Sequence, residues 1–312
     1  MGKIVKAHLA LLIVNIIYGA NYSIVKKLAG YIDPYALVLI RAVVTGILFW
    51  VSSFLVRDKK IEKKDFRRLM LLGIFAIALN QLLFIKGLFM GNAINASIIM
   101  IFSPIVVILI EILFLKEKAP LIRIAGIITG VAGAFVLLIF RKPGATGSNL
   151  FIGDILILIN CISWSIYMVM VRSLMVKYKT VTVVKWIFLF GSIYVLPFGW
   201  PGINSFNLAG MGTFQWGCLT YVVVASTFIA YFLNTYALKE LSASIASTYI
   251  YLQPIIASIV AIALNQDSID AIKIISALLI ITGIFLVGLS RNESRKAVVV
   301  VVNSGDKSDA GD

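Results

Sequence analysis

Charges are rare inside the apolar runs of this chain, so the few found there are the first candidates for chemistry. Glu111 is the one carboxylate well inside such a run, seven residues after Pro104 and on about the same helical face. A charge at that depth costs roughly 2.5–3.5 kcal/mol on insertion scales, so it needs water, a partner or a proton. Glu111 is a candidate for proton coupling, for a counter-charge to an ammonium group, or for an interface carboxylate near Lys116 and Lys118. Arg41 lies about two turns inside the outer end of its own run. It either snorkels to a helix end or lipid phosphate, or attracts an anion such as an amino-acid carboxylate.

Pro104 and Pro254 fall near the middle of their runs. Each removes a backbone donor and displaces the carbonyl four residues back, at Met100 and Ile250. Freed carbonyls at membrane depth need partners, which a water-filled cavity provides, so both prolines are candidate hinges or cavity-lining kinks. Uncharged polar residues at mid-depth are Asn15, Asn80, Gln81, Ser103, Asn160, Thr227 and Gln253; aromatic ones are Tyr18, Trp164, Tyr167, Tyr231 and Tyr249. A small-solute site needs a few placed polar groups on a mainly apolar and aromatic wall. Aromatic faces also suit an ammonium. From this set we expect substrate-binding residues in Asn15, Tyr18, Asn80, Gln81, Ser103, Trp164, Tyr167, Tyr231, Tyr249 and Gln253.

The elements that must position these residues follow from composition. Of 312 residues 61% are hydrophobic and 13% charged, against about 45–50% and about 25% for a soluble domain. That excludes a soluble globular protein and a disordered chain. Continuous apolar stretches, with no alternation, argue against a β-barrel. Ten apolar segments are legible, at about 7–28, 34–56, 68–88, 93–115, 120–140, 151–173, 180–200, 213–238, 243–264 and 268–290. Each is long enough to span a bilayer as a helix. The expected fold is an all-α membrane protein of ten transmembrane helices.

The net charge of +14 is read as topology, with no nucleic-acid partner expected. With the N-terminus in the cytoplasm, 21 Lys and Arg fall on that side and 6 on the other. This asymmetry predicts that both termini are cytoplasmic, in a multi-pass protein of the cell (inner) membrane. Seven of those charges lie within Arg57–Arg68, a solvated loop beside anionic headgroups. Residues 292–312 form a cytoplasmic tail expected to be disordered. Cys161 and Cys218 read as small buried hydrophobes.

The chain also repeats itself. Residues 93–105 match 243–255 at five of thirteen positions, including Ser97/Ser247 and Pro104/Pro254, at an offset of 150. The register continues through Glu117/Asp267, Gly133/Gly283 and Phe135/Phe285, and Tyr18-Gly19 matches Trp164-Ser165 at an offset of 146. Each half then holds five helices. Because five is odd, the second half enters the membrane from the opposite side. Inverted repeats of this kind are an architecture of secondary transporters.

These residues resemble the ten-helix branch of the drug/metabolite transporter superfamily, which carries two EamA domains. The resemblance covers about residues 7–290 and rests on Tyr18-Gly19…Lys26, Trp164-Ser165…Arg172, Pro34…Arg41, Pro104…Glu117 and Pro254…Asp267. Tyr18 stands where Trp is common, and the second half lacks the Pro…Arg pair, with Thr180 in the proline's place. The resemblance implies two inverted EamA repeats, at 1–142 and 150–291, and secondary transport, often export, of amino acids, related metabolites or drugs. Nucleoside and sugar transport are alternatives on the same fold.

Other classes lack their residues. His8 is the only histidine, no His-Glu-x-x-His occurs, and Glu111 has no acidic partner in another span, so an intramembrane enzyme is a distant alternative, as is a channel. No Walker-type glycine loop is present, so gradients or exchange must supply the energy. No cofactor or metal is expected. The partners expected are a small-molecule substrate and membrane lipid, for a monomer.

Overall fold

The computed structural model describes residues 2–57, 59–91, 96–97, 99–116, 120–139, 150–206 and 210–263, then 271, 274–275, 278–279, 281–287 and 289. In lipid every backbone polar group must be satisfied internally, so the apolar runs wind into helices. Helix α1 spans Lys3–Lys26 and α2 spans Pro34–Phe54. The Asp33 carboxylate starts α2 by accepting from the Tyr35 and Ala36 backbone N–H groups at 2.8 and 3.1 Å. Pro34, in the first turn, has no N–H to satisfy.

The third run is wound in three pieces: α3 (Lys63–Gly73), a π-helical stretch (Ile74–Ala78) and α4 (Leu79–Met90). A 3-10 turn, Met100–Phe102, leads into α5 (Ser103–Leu115), and α6 covers Leu121–Ile139. Then come α7 (Leu150–Met175), α8 (Thr180–Gly199) and a 3-10 turn, Pro201–Ser205. The next run is again divided by π-helix: α9 (Thr213–Thr220), Tyr221–Ile229, then α10 (Ala230–Glu240). Helix α11 (Ala243–Thr248), a 3-10 turn (Tyr249–Tyr251) and α12 (Leu252–Ala263) follow. Helical backbone recurs at the described residues between 271 and 289.

Two expectations change here. Among the described residues six helical runs are long and apolar enough to cross a membrane, with two shorter apolar ones at Met100–Phe114 and Leu121–Gly133. The count of ten is not reached among the described residues, because the fourth and tenth expected segments include residues outside the described set. The prolines sit where the winding changes, not in the middle of uniform α-helix. Pro104 sits in the first turn of α5 and Pro254 near the start of α12, each just after a 3-10 turn. The carbonyls anticipated to be free, at Met100 and Ile250, fall inside those turns, where the tighter winding accommodates the missing proline donor. The Glu117/Asp267 pairing, Lys118, residues 93–95 of the repeat and the tail 292–312 lie outside the described residues.

The helices from the two ends of the chain interleave. A Cβ on Gly199 of α8 would lie 2.5 Å from the Leu39 Cβ of α2, and one on Gly87 of α4 would lie 2.8 Å from the Gly153 carbonyl of α7. Gly19 permits the closest approach of α1 to α12, since a Cβ there would meet Ile256 at 2.5 Å and the Gln253 carbonyl at 3.1 Å. At the matching position of α7, Ser165 has room for its hydroxyl, which bonds Ser103 of α5 at 2.9 Å. At the basic end, buried Asp65 of α3 accepts from Lys177 Nζ at 3.0 Å and from the Tyr178 hydroxyl at 2.9 Å, tying α3 to the α7–α8 turn. Large apolar side chains such as Phe54, Phe114 and Phe151 lie on the outside.

Candidate substrate-binding cavity

Between these helices lies a cavity lined by Tyr18, Asn21 and Tyr22 of α1, Arg41 of α2, Asn80, Gln81 and Phe84 of α4, and Met100. Asn160 and Trp164 of α7, Ser226 of the second π stretch, Tyr231 of α10 and Gln253 of α12 complete it. Its free space is about 60 Å³, on the measure by which one water takes roughly 10–15 Å³. That is room for about four to six waters, or for the polar head of a small solute.

Both π stretches serve this cavity. A π turn leaves carbonyls out of the α-helical ladder, and side chains from elsewhere in the chain take them up. The Tyr231 hydroxyl donates to the Ala76 carbonyl at 2.7 Å and Ser163 donates to the Phe75 carbonyl at 2.7 Å. In the second stretch Thr45 of α2 donates to the Val223 carbonyl at 3.4 Å. Gln81 and Tyr231, equivalent at the offset of 150, meet directly, Gln81 Nε2 donating to the Tyr231 oxygen at 3.2 Å. Asn160 Nδ2 donates to the Asn80 carbonyl at 2.7 Å. These donations fix which end of each amide is oxygen.

What remains faces inward. Eight buried side-chain polar atoms have no hydrogen-bond partner among the described residues, and six belong to cavity residues: Tyr18 OH, Asn21 Oδ1, Arg41 Nη1, Gln81 Oε1, Asn160 Oδ1 and Ser226 Oγ. Native proteins leave few such groups, because each costs about 1–3 kcal/mol. Arg41 is only 3% exposed, and the one hydrogen bond it makes among the described residues, from Nε to Thr227 Oγ1 at 2.9 Å, goes to a neutral group. No carboxylate among the described residues pairs with it. The wall is aromatic: Trp164 meets Tyr18 edge to face at 6.1 Å and Tyr231 at 5.5 Å, and Tyr22 meets Phe84 at 5.5 Å. The cavity therefore offers a guanidinium and two hydroxyls to an anion, and three amide oxygens and aromatic faces to a cationic or N–H donor group.

Of the residues singled out in the sequence, Tyr18, Arg41, Asn80, Gln81, Asn160, Trp164, Tyr231 and Gln253 line this space. Gln253 is already partnered, accepting from the Tyr22 hydroxyl and donating to Asn15 Oδ1, both at 2.8 Å. Asn15 stands behind it and does not line the cavity. Ser103 is bonded to Ser165, Tyr167 to Thr235 at 2.6 Å, and Tyr249 to His8 at 2.7 Å, all outside the lining. Glu111 is also elsewhere. Its carboxylate accepts from the Ser244 backbone N–H at 3.2 Å and from the Ser244 hydroxyl, with Arg123 Nη1 at 3.7 Å. Pro104 and Pro254 do not line the cavity either.

Asn21, Tyr22, Phe84, Met100 and Ser226 were not anticipated as lining residues. Asn21 and Tyr22 follow Tyr18 by three and four residues, and Phe84 follows Gln81 by three, so helical spacing from residues already named would have found them. Ser226 has no such signal, because the π stretch that turns it inward leaves no mark in the hydropathy pattern. Among the described residues no group of three or more His, Cys, Asp or Glu side chains gathers as for a metal ion.

Comparison with known proteins adds an independent line. The family model described as "EamA-like transporter family" matches residues 5–139 and again 151–289. An uncharacterized transporter of Archaeoglobus fulgidus is 25% identical over 270 residues, covering 86% of this chain and 94% of its own. One of Clostridium kluyveri is 26% identical over 96% of this chain and 98% of its own. The uncharacterized inner membrane transporter YicL of Salmonella typhimurium is 23% identical over 95% of this chain and 100% of its own. A solved crystal structure superposes with a TM-score of 0.71 at 15% identity, over 92% of this chain and 98% of that one, a likeness of fold.

Proposed function

This chain belongs to the EamA-like transporter family, and we propose that it is a secondary active carrier exporting a small amphipathic metabolite, an amino acid or close relative, by alternating access. The observation that carries the reading is the set of polar atoms unpartnered among the described residues in a cavity that holds one buried arginine without a described counter-charge, between helices from both ends of the chain. A buried charge without a partner costs several kcal/mol. A solute carboxylate at Arg41 offsets that cost. A solute ammonium suits the oxygens of Asn21, Gln81 and Asn160 and the faces of Trp164 and Tyr18. Arg41 is the one cation among the described residues lining the cavity, which matches one negative charge and argues against phosphate esters.

The two stretches matched by the family model agree with two repeats at 1–142 and 150–291. Two similar halves of opposite orientation can exchange conformations about a site between them, which is the basis of alternating access. The excess of basic residues on one side supports cytoplasmic termini in the inner membrane.

The test is counterflow. Purified protein in liposomes preloaded with unlabelled amino acids should take up labelled members of the same mixture saturably. Absence of counterflow for every amino acid would overturn this substrate class and direct the search to drugs, nucleosides and sugars.

A further inference from the structure

An arginine in a binding cavity can act as a loose point charge or as an oriented fork. The difference lies in what holds its Nε, and here that group is Thr227. Thr227 lies in the π-helical stretch Tyr221–Ile229, and its hydroxyl donates to the Val222 carbonyl, five residues back, at 2.6 Å. Five residues is the π-helical repeat; an ordinary α-helix would offer the carbonyl four back. With its proton used there, Thr227 Oγ1 has only lone pairs left and accepts from Arg41 Nε at 2.9 Å. Four residues along α2 from Arg41, Thr45 donates to the Val223 carbonyl, so α2 is fastened to the π stretch at two neighbouring points.

This arrangement fixes the guanidinium plane. Among the described residues the guanidinium's hydrogen bond is the one from Nε, and Nη1 is buried there without a partner. Two parallel N–H groups from Nη1 and Nη2 match the two oxygens of a planar carboxylate. Ser226, adjacent to Thr227 and fully buried, and Tyr18 line the same cavity, with hydroxyls unpartnered among the described residues. We propose that Arg41 is an end-on clamp for a single solute carboxylate, and that Thr227, mounted on the π stretch, is the positioning residue that makes it one. The proposal rests on the cavity being the solute site.

The experiment uses full-length protein in lipid nanodiscs and reads thermal stabilisation against concentration for L-alanine, propionate, L-alanine methyl ester and inorganic phosphate. Wild type should respond to alanine and propionate and at least tenfold more weakly to the ester and to phosphate. Thr227→Val, nearly isosteric but without the hydroxyl, should lose at least tenfold in apparent affinity for alanine and propionate and no longer distinguish alanine from its ester. Thr227→Ser, which keeps the hydroxyl, should stay within about threefold of wild type, an outcome a merely structural role would not predict for discrimination between ligands. Arg41→Gln should abolish the preference for carboxylates. Unchanged discrimination in Thr227→Val, with loss in Arg41→Gln, would overturn the assignment of Thr227 and leave the cavity reading standing. An Arg41→Gln protein indistinguishable from wild type, or a wild type indifferent to both carboxylates, would overturn the cavity reading and the clamp together.

Discussion

Arg41 and Glu111 are almost equally buried, at 3% and 2% exposure, yet they are treated in opposite ways by their surroundings. Glu111, near the end of α5, has both carboxylate oxygens engaged by Ser244 at the start of α11 and a guanidinium from α6 within 3.7 Å. A carboxylate is favoured at the first turn of a helix, where backbone N–H groups lack internal partners. Glu111 thus joins two parts of the chain that are far apart in sequence. Arg41 joins α2 to the second π stretch through a neutral contact and, among the described residues, has no counter-charge in its cavity. Burial alone does not mark a functional charge in a membrane protein. The decisive feature is whether the protein itself supplies the counter-charge.

The sharpest way to break this contrast is to remove each charge. Arg41→Gln should lower counterflow by about 100-fold or more, since losing one partner of a desolvated charge pair costs about 2–5 kcal/mol in binding. Its melting temperature should hold or rise, because an uncompensated buried charge has been removed. A protein that melts early but transports normally would reverse the roles assigned to the two charges. Glu111→Ala should do the opposite, costing about 3 kcal/mol of stability by stranding Arg123 and the start of α11, with flux per folded molecule largely kept. Glu111→Gln retains an acceptor for Ser244 and should cost less. Because Glu111 does not reach the cavity, its pH profile of transport should follow that of wild type; a flattened profile would return Glu111 to proton coupling.

Gln253 tests the contrast within the cavity itself. It lines the space but is partnered at both ends, so Gln253→Ala should leave the Tyr22 hydroxyl and Asn15 Oδ1 unpaired and cost about 1–3 kcal/mol, read as an earlier melt. The smallest effect is expected at the basic end. Asp65→Asn keeps an acceptor for Tyr178 but loses the ion pair with partly exposed Lys177, and should cost about 1 kcal/mol with no change in solute preference.

Much of the site was legible because the relevant signal was local. Tyr18, Gln81, Trp164 and Tyr231 stood out as polar or aromatic groups at mid-depth in apolar runs, and the cavity contains all four. The same criterion also selected Asn15, Ser103, Tyr167 and Tyr249, which are bonded behind or away from the cavity wall. Depth in a run is encoded locally; the direction a side chain faces and the partner it finds are not. The prolines show the same limit. Their matched positions were plain, but the 3-10 turns preceding both were not.

By itself the sequence determined the all-helical membrane character, the repeated motifs and, of its ten expected segments, the six that are long helical spans among the described residues. Transfer of apolar side chains into lipid and internal satisfaction of backbone groups act on contiguous residues, so hydropathy and length suffice to read them. Only the tertiary structure decided which buried polar groups are paired. Gln253 meets Tyr22 across 231 residues of sequence, Arg41 meets Thr227 across 186, and Glu111 meets Ser244 across 133. Hydrogen bonds act over about 3 Å, so a buried charge is satisfied or left for a solute only by what the folded chain brings to it.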